Sequence, residues 1–206
     1  MIHATADRRF RADRSRRSRA RLAVPVLCAV LLGALGGVPA SAEAREVKEC
    51  TDTGFVQEML DGLDKERSHH GVPALKVSQE LANYAKTRAM FHAQNGSLSH
   101  KELDTRYGES VFLASSDDSR PTPAGDAVTH WKNEQERYEY DADGPAPGTE
   151  NFTQMVWKAS TAVGVGRACV LAPESEDPGW TYIVAIYRLR GNIPGAYHDN
   201  VLRGTD

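Results

Sequence analysis

Cysteine is scarce in this chain, which has three cysteines among its 206 residues and no C-x-x-C pair. A cysteine-based metal site needs thiolates at short spacing, so the sequence excludes a metal centre built from paired cysteines. An internal repeat is also absent, which argues against an architecture of stacked repeats. The function of the chain must therefore be sought in other residue types.

The first 42 residues differ in composition from the rest. Residues 1–21 contain eight Arg and two acids, and residues 22–38 form an uncharged run rich in Leu, Val, Ala and Gly that is followed by P-A-S-A. This order is typical of a secretory signal peptide and predicts cleavage after Ala42. The alternative is a transmembrane anchor, but the run is shorter than the roughly 20 residues that a spanning helix needs. We expect an exported domain at 43–206, with no transmembrane anchor after cleavage.

Positive charge is scarce in this predicted mature chain. The leader removes eight Arg and two Asp from the chain totals of 25 basic and 28 acidic residues, which leaves 17 against 26 and a net charge of −9. Nucleic acids and anionic membranes attract clustered positive charge, so neither is expected as the main partner. The remaining 164 residues are enough for a single domain with a hydrophobic core.

Two cysteines remain after cleavage, Cys50 and Cys169. An oxidising compartment favours a disulfide between them, which would tie the mature N-terminus to the body of the fold. The alternative is a pair of unbonded small core residues.

Hydrophobic periodicity predicts helices in the first part of the domain and strands in the last. One helix begins near Asp52 or Thr53, a second is capped by Ser78, and a third covers 126–140, with a short helical piece at 111–114. His92 lies on the apolar stripe of the second helix and is interpreted as a core histidine. Residues 163–171 and 180–189 are predicted strands, the second apolar on both faces and therefore central. The pattern predicts an α+β fold, a three-layer α-β-α sandwich with a central, mostly antiparallel sheet.

Three polar residues lie among hydrophobic neighbours. Glu134 shares one helical face with Trp131 and Tyr138, and a carboxylate on that face either has a buried partner or lies at the solvent edge. His100 and Glu109 have apolar neighbours in a predicted loop. Together the three residues predict one cavity with two carboxylates and an imidazole, which could bind a divalent cation or carry out acid–base chemistry.

Seven short motifs follow one another along the domain. They are H-G-V-P-A-L-K at 70–76, L-S-H at 98–100, Y-G-E-S at 107–110, A-V-T-H-W-K-N-E at 127–134, N-F-T-Q-M-V-W-K at 151–158, V-G-V-G-R-A at 163–168 and I-V-A-I-Y-R-L-R-G-N-I at 183–193. Through them the chain resembles the CAP superfamily of cysteine-rich secretory proteins, antigen 5, plant pathogenesis-related proteins and bacterial SCP-domain relatives. It is most similar to the Golgi-associated and secreted bacterial members, because the extra cysteines of the venom and plant members are absent. The resemblance implies an α-β-α sandwich.

The resemblance also implies a central cavity with two His and two Glu, which bind zinc or another divalent ion in several members. His100, Glu109 and Glu134 match three of these positions, and Asn151 stands where the second His is expected. Asn is a poor zinc ligand beside imidazole, so the implied cofactor is at most a weakly bound divalent cation such as zinc. His130, one turn before Glu134, is a candidate for the missing nitrogen ligand.

The resemblance implies an extracellular binding module for an unknown lipid, peptide or cell-surface ligand, and this hypothesis is favoured over an enzyme. The alternative is a secreted hydrolase in which Ser115 is the nucleophile, His100 the base and Glu109 the residue that orients it. A third class, a protein that acts through its surface with the cavity as support for the fold, is not separated from the first by any sequence feature.

Overall fold

The computed structural model describes residues 45–116, 120–142, 144, 146–171 and 179–205. The predicted signal peptide at 1–42 and the first residues of the predicted domain lie outside these ranges, so the cleavage site stays a prediction. Within the described ranges, no helix combines the length and the apolar character that crossing a membrane requires.

Helices and strands alternate irregularly along the described chain. In order they are β1 (Glu46–Glu49), α1 (Thr53–His69), β2 (Lys76–Val77), α2 (Gln79–Asn95), β3 (Gly108–Ser116), α3 (Ala124–Asn133), a 3-10 helix (Glu134–Arg137), α4 (Glu150–Met155), β4 (Ala162–Leu171), β5 (Gly179–Arg188) and α5 (Tyr197–Asn200). The strands form one sheet.

The sheet has the order β1-β4-β5-β3. The short strand β2 also pairs with β4, at residues with which β1 does not pair. All pairs are antiparallel except the short β2–β4 pair, in which Lys76 lies opposite Ala162. β4 and β5 are buried along nearly their whole length, as the apolar character of the second predicted strand indicates. β3 is an edge strand and pairs only with β5 among the described strands.

Helices cover both faces of the sheet and define two hydrophobic cores. On one side α2 contributes Leu81, Ala85 and Ala89, which pack against Val184 and Ile186 of β5. On the other side α1, α3 and α4 surround a core whose largest members include Trp131, Phe152 and Trp157. The predicted three-layer sandwich with a mostly antiparallel sheet is confirmed.

The V-G-V-G motif allows α2 to approach β4 closely. A Cβ atom at Gly164 would overlap the backbone of Leu81 and Ala82, and one at Gly166 would overlap Ala85 and Lys86. Side chains at these two positions would push the helix away from the sheet. The motif therefore fixes the position of α2, the helix that carries part of the candidate site.

The N-terminal part of the domain is attached to the sheet at several points. Cys50 and Cys169 form the expected disulfide, with Cα atoms 6.0 Å apart. The Asp52 carboxylate caps α1 by accepting from the backbone N–H of Phe55, at 2.8 Å, and it also accepts from Arg167 of β4, at 2.7 Å. Ser78 caps α2 as predicted, although its hydrogen bond to Leu81 is long, at 3.4 Å.

The structure corrects two predicted elements. Residues 111–114 are part of strand β3, not a short helix, because alternate side chains pack against the helices on opposite faces of the sheet. In the predicted third helix, the α-helical part ends at Asn133 and a 3-10 helix follows to Arg137. The last turn is therefore wound more tightly than the α-helical period on which the prediction was based.

A buried arginine fixes the end of α4. Arg67 of α1 has no exposed surface, and its guanidinium donates to four backbone carbonyl groups, those of Pro73, Met155, Trp157 and Ser160. Burial lowers the pKa of Arg67 to about 10, so the side chain stays charged at neutral pH. The fixed α4 in turn places Asn151 beside β3.

Candidate functional site

Glu109, the second residue of β3, is the centre of the first polar cluster. Its side chain has 0% exposure, and it projects from the face of the sheet that α2 covers. A buried carboxylate is costly unless charged or hydrogen-bonding partners surround it. The adjacent helix supplies them.

Arg88 of α2 is the principal partner of Glu109. Arg88 Nε donates to Glu109 Oε1 at 2.7 Å and Nη2 donates to Oε2 at 3.1 Å, which is a bidentate ion pair. The same guanidinium donates to the carbonyl oxygens of Ser99, at 3.0 Å, and Lys101, at 2.9 Å. The Arg88 side chain is 4% exposed. Arg88 therefore joins α2, β3 and the loop that connects them.

Two histidines complete this cluster. His100 Nδ1 donates to Glu109 Oε2 at 2.7 Å, while the side chain is 55% exposed. His92, which is fully buried as predicted, has Nδ1 2.9 Å from the carbonyl oxygen of Ser97 and Nε2 3.4 Å from Glu109 Oε1. Because Nδ1 of His100 is used by the carboxylate, its Nε2 is the ring atom left for solvent or a ligand.

The electrostatics of Glu109 follow from these contacts. Burial by itself raises the pKa of Glu109, but hydrogen bonds from His100, His92 and Arg88, together with the charge of Arg88, outweigh burial and hold the pKa well below its usual range. Glu109 is therefore ionised at neutral pH. A carboxylate of this kind orients an imidazole, but it is a poor proton acceptor.

Glu134 is the centre of a second cluster. It is buried at the start of the 3-10 helix, and its Oε2 accepts from the backbone N–H of Phe152 in the first turn of α4, at 2.9 Å. Its Oε1 accepts from Nδ2 of Asn151 at 2.8 Å. The question that periodicity left open is settled: Glu134 is buried, and it caps the N-terminus of α4, where negative charge is favoured.

Asn151 connects Glu134 to the edge of the sheet. Its Oδ1 accepts from the backbone N–H of Val111 at 3.1 Å, and the carbonyl of Val111 accepts from the indole N–H of Trp131, also at 3.1 Å. These backbone groups would otherwise be free on an edge strand. Asn151 thus accepts from the edge of the sheet with its amide oxygen and donates to one oxygen of a buried carboxylate with its NH₂ group.

The predicted site residues form two hydrogen-bonded clusters, and the single cavity that the sequence predicts for them stays a prediction. The structure brings His100 to Glu109 and Glu134 to Asn151, and no hydrogen bond between described residues joins the two pairs. His130, the candidate fourth ligand, is exposed on α3 and packs against the ring of Phe112 at 5.1 Å. In the part of the chain that the structure describes, no group of three or more His, Cys, Asp or Glu is placed to hold a metal ion.

Ser115 lies far from the residues it was predicted to join. Glu109 is the second and Ser115 the eighth residue of β3, and they pair with Ile186 and Trp180 at opposite ends of β5. At about 3.3 Å per residue, the two Cα atoms are roughly 20 Å apart. The His100–Glu109 half of the predicted catalytic arrangement is present, but Ser115 is out of its reach.

Sequence reasoning missed Arg88. It lies seven residues after Leu81 and four before His92 on α2, so it occupies a position on the buried stripe of that helix. The same kind of signal, a charge at a core position, was used for Glu134. Arg88 could therefore have been found from its spacing, although its partner could not.

Comparisons with known proteins agree with this architecture. The structure superposes on that of NaASP2, solved with Zn²⁺, with a TM-score of 0.53 and 20% identity over 76% of this chain and 91% of that one, which shows a shared fold. The family model of the cysteine-rich secretory protein family, CAP, matches residues 60–187. The chain belongs to this family.

Two curated relatives illustrate the range of the family. The human Golgi-associated plant pathogenesis-related protein 1 is 32% identical over 152 residues, which cover 72% of this chain and 92% of that protein. Secreted protein RBT4 of Candida albicans is 28% identical over 159 residues, which cover 75% of this chain but only 40% of that protein.

The described residues do not fit the zinc site with two His and two Glu that the resemblance implies. Both oxygens of Glu134 accept from protein N–H groups, and one of these donors belongs to Asn151, which replaces the expected histidine. Both oxygens of Glu109 accept from Arg88, a cation in its own right. A divalent ion would have to displace a donor at Glu109 and compete with the two donors at Glu134.

Proposed function

We propose that this protein is an extracellular CAP-domain binding module without catalytic activity, whose ligand contacts the surface around His100. The observation that carries the proposal is that both oxygens of each buried carboxylate accept hydrogen bonds from donors of the protein itself. Carboxylates used in this way support the fold and are not available as a general base or as metal ligands.

Export is part of the proposal. The predicted signal peptide, the secretory description of the family and the name of the secreted relative support it. The disulfide between Cys50 and Cys169 also suits an oxidising compartment.

The surface around His100 supports a binding role. His100 is held by Glu109 yet remains more than half exposed, and Leu98, two residues earlier, is one of the few exposed large hydrophobic residues. A fixed imidazole beside an exposed apolar side chain can combine a directional hydrogen bond with apolar contact. The resulting ligand classes are lipid headgroups, cell-wall fragments and peptides.

The test is a binding titration of the protein purified from culture supernatant. Three probes are used separately: phospholipid vesicles, soluble peptidoglycan fragments and a peptide array. We expect saturable binding to one class that falls by about tenfold or more in His100→Ala, the loss of one good hydrogen bond to an ordered side chain. His130→Ala, which removes another exposed imidazole from α3, is the matched control. Absence of binding to all three classes, or an equal effect of both substitutions, would contradict the proposal.

A hydrolase is the second candidate, because His100 and Glu109 form a dyad with an exposed ring nitrogen. Its support ends there, since Ser115 lies at the far end of β3. Turnover of ester or peptide substrates that is lost in His100→Ala would favour this candidate over the binding module. Loss of such turnover in Ser115→Ala as well would require a rearranged β3.

A further inference from the structure

Four oxygen atoms converge on the guanidinium of Arg88. Two belong to the Glu109 carboxylate, and two are the backbone carbonyl oxygens of Ser99 and Lys101, all within 2.7–3.1 Å of a guanidinium nitrogen. The ring of Phe91 lies 4.9 Å from the Arg88 Cζ atom. An anionic carboxylate, two carbonyls and an aromatic ring together form an environment built for a cation.

This arrangement also determines the shape of the loop between α2 and β3. The carbonyls of Ser97, Ser99 and Lys101 point towards α2, the first to His92 and the other two to Arg88. His100, which lies between the two residues held by Arg88, donates to Oε2 of Glu109, the oxygen that also accepts from Arg88 Nη2. These contacts attach the backbone of the loop to α2 and to the charged centre, in addition to hydrogen bonds within the loop such as that from Leu103 N–H to the carbonyl of His100.

We infer that the Glu109 cluster is a cation site whose resident cation is the Arg88 guanidinium, and that this guanidinium positions the loop that presents His100. The chain thus carries, as part of its own sequence, the positive charge that a bound metal would otherwise bring to such a cluster. Arg88 is a positioning residue: it acts on His100 through Glu109 and through the loop backbone. The inference concerns the same surface as the proposed function, but it holds whatever ligand that surface binds.

The planar shape of the guanidinium distinguishes this site from a general electrostatic contact. Two parallel N–H groups of the guanidinium match the two oxygens of the carboxylate, and the remaining N–H groups reach two carbonyls. The single ammonium group of a lysine cannot bond the carboxylate and both carbonyls at the same time. A small planar cation with the same donors should therefore bind in the space left when the side chain is removed. Free guanidinium is such a cation.

The test is chemical rescue of Arg88→Ala. The variant should melt about 10 °C below the wild type, because it removes the permanently charged partner of a buried carboxylate. Guanidinium chloride at about 20 mM should recover at least a third of that loss, whereas its denaturing effect at this concentration shifts the melting temperature by well under ~1 °C. Sodium chloride at the same concentration should give no rescue.

Three comparisons make the test specific. Arg106→Ala removes an exposed arginine next to the cluster and should show neither a large loss nor rescue by guanidinium. Arg88→Lys keeps the positive charge and should recover less stability than guanidinium-loaded Arg88→Ala if the planar fork is what matters. If Arg88→Ala does not fold, the fraction of soluble protein recovered on refolding with and without guanidinium becomes the measurement.

A separate readout follows the position of His100. In the ¹H–¹⁵N NMR spectrum of the imidazole groups, Arg88→Ala should shift the His100 signals, and guanidinium should return them towards their wild-type positions. The inference is overturned if guanidinium rescues neither variant signal nor stability, or if EDTA or Zn²⁺ changes the melting temperature of the wild type by several degrees. Ligand binding is not measured in these experiments, so their failure would leave the proposed function standing, and failure of ligand binding would leave this inference standing.

Discussion

Glu109 in β3 and Glu134 near its edge are both buried glutamates, but their hydrogen-bond donors differ. Glu109 accepts hydrogen bonds from an arginine and two histidines, whereas Glu134 accepts them from neutral amide groups. The first is balanced by a formal positive charge. The second is balanced by Asn151 and by the N-terminal dipole of α4, which supplies a backbone N–H and partial positive charge. The burial of the two glutamates is thus stabilised differently, by an ion pair in one case and by neutral hydrogen-bond donors in the other.

The difference bears on what each cluster can do. When a carboxylate is paired with a buried cation, removal of either partner strongly destabilises the folded state, because the other partner is left charged in a poorly solvated site. A carboxylate that accepts from neutral donors loses hydrogen bonds only. The Glu109 cluster should therefore respond strongly to mutation and pH, and the Glu134 cluster should behave as a helix cap.

The largest effect is expected from Glu109→Gln. This substitution keeps the size of the side chain but leaves Arg88 as an uncompensated buried cation, and we expect a loss of about 3–5 kcal/mol in the free energy of unfolding. Urea unfolding measures it. Glu80→Gln, which changes an exposed glutamate paired with Arg188, is the control and should lose less than about 1 kcal/mol. Similar losses in both variants would show that the burial of Glu109 does not matter.

Acid should remove the advantage of the Glu109 cluster. The pKa of Glu109 is held below its usual value of 4.5, so the folded state binds the proton less readily than the unfolded state. Its stabilising contribution is therefore fully present above about pH 5 and declines as the pH falls below the usual range. The stability difference between wild type and Glu109→Gln, measured by urea unfolding from pH 7 to pH 3, should be constant down to about pH 5 and should narrow below it. A difference that is constant with pH would contradict the ionised pairing.

Glu134→Gln should have a moderate effect. The new amide can still accept from Phe152, but its NH₂ group faces the NH₂ group of Asn151, and relief by rotating Asn151 would break the contact with Val111. One or two hydrogen bonds are lost, so we expect a loss of about 1–3 kcal/mol. Glu136→Gln, on the exposed side of the same 3-10 helix, is the matched control for the thermal and urea unfolding measurements. A loss as large as that of Glu109→Gln would erase the distinction between the clusters.

The smallest effect is expected when the histidine implied by the family is restored. In Asn151→His, Glu109 remains paired with Arg88, so the added imidazole has no free carboxylate of that cluster to join. Isothermal titration with Zn²⁺ should give a dissociation constant no tighter than about 0.1 mM, a binding free energy near −5.5 kcal/mol. Micromolar or tighter binding by this single variant would show that the two clusters converge on one ion.

Much of the fold could be predicted from local sequence. Asp52 and Ser78 are helix caps, Cys50 and Cys169 suit an exported protein, and the apolar character of 180–189 indicates a central strand. Each of these signals depends on near neighbours in the chain or on composition. Residues 111–114 gave a wrong prediction because a short apolar stretch has no period long enough to separate helix from strand.

The site was predicted in part. His100, Glu109, Glu134 and Asn151 were all identified as polar residues of the core region, and the structure buries or fixes each of them. Their division into two clusters could not be predicted, because it depends on the tertiary contacts of Glu109 with α2 and of Asn151 with Glu134 and the edge of β3. Arg88 was overlooked although its spacing on α2 places it at a core position.

The sequence by itself determined which charged residues interrupt a hydrophobic stripe, and a charge at such a position either is buried with a partner or lies at the solvent edge. Only the tertiary structure decided which charges meet. Arg88 and Glu109 are 21 residues apart, and Asn151 and Glu134 are 17 apart. The first contact forms because α2 is held against β4 at Gly164 and Gly166. The second forms because Arg67 holds the end of α4. The packing of helices on the sheet, which no local pattern encodes, therefore decides how the four predicted site residues are grouped. Two of them belong to a charged cluster and two to a helix cap.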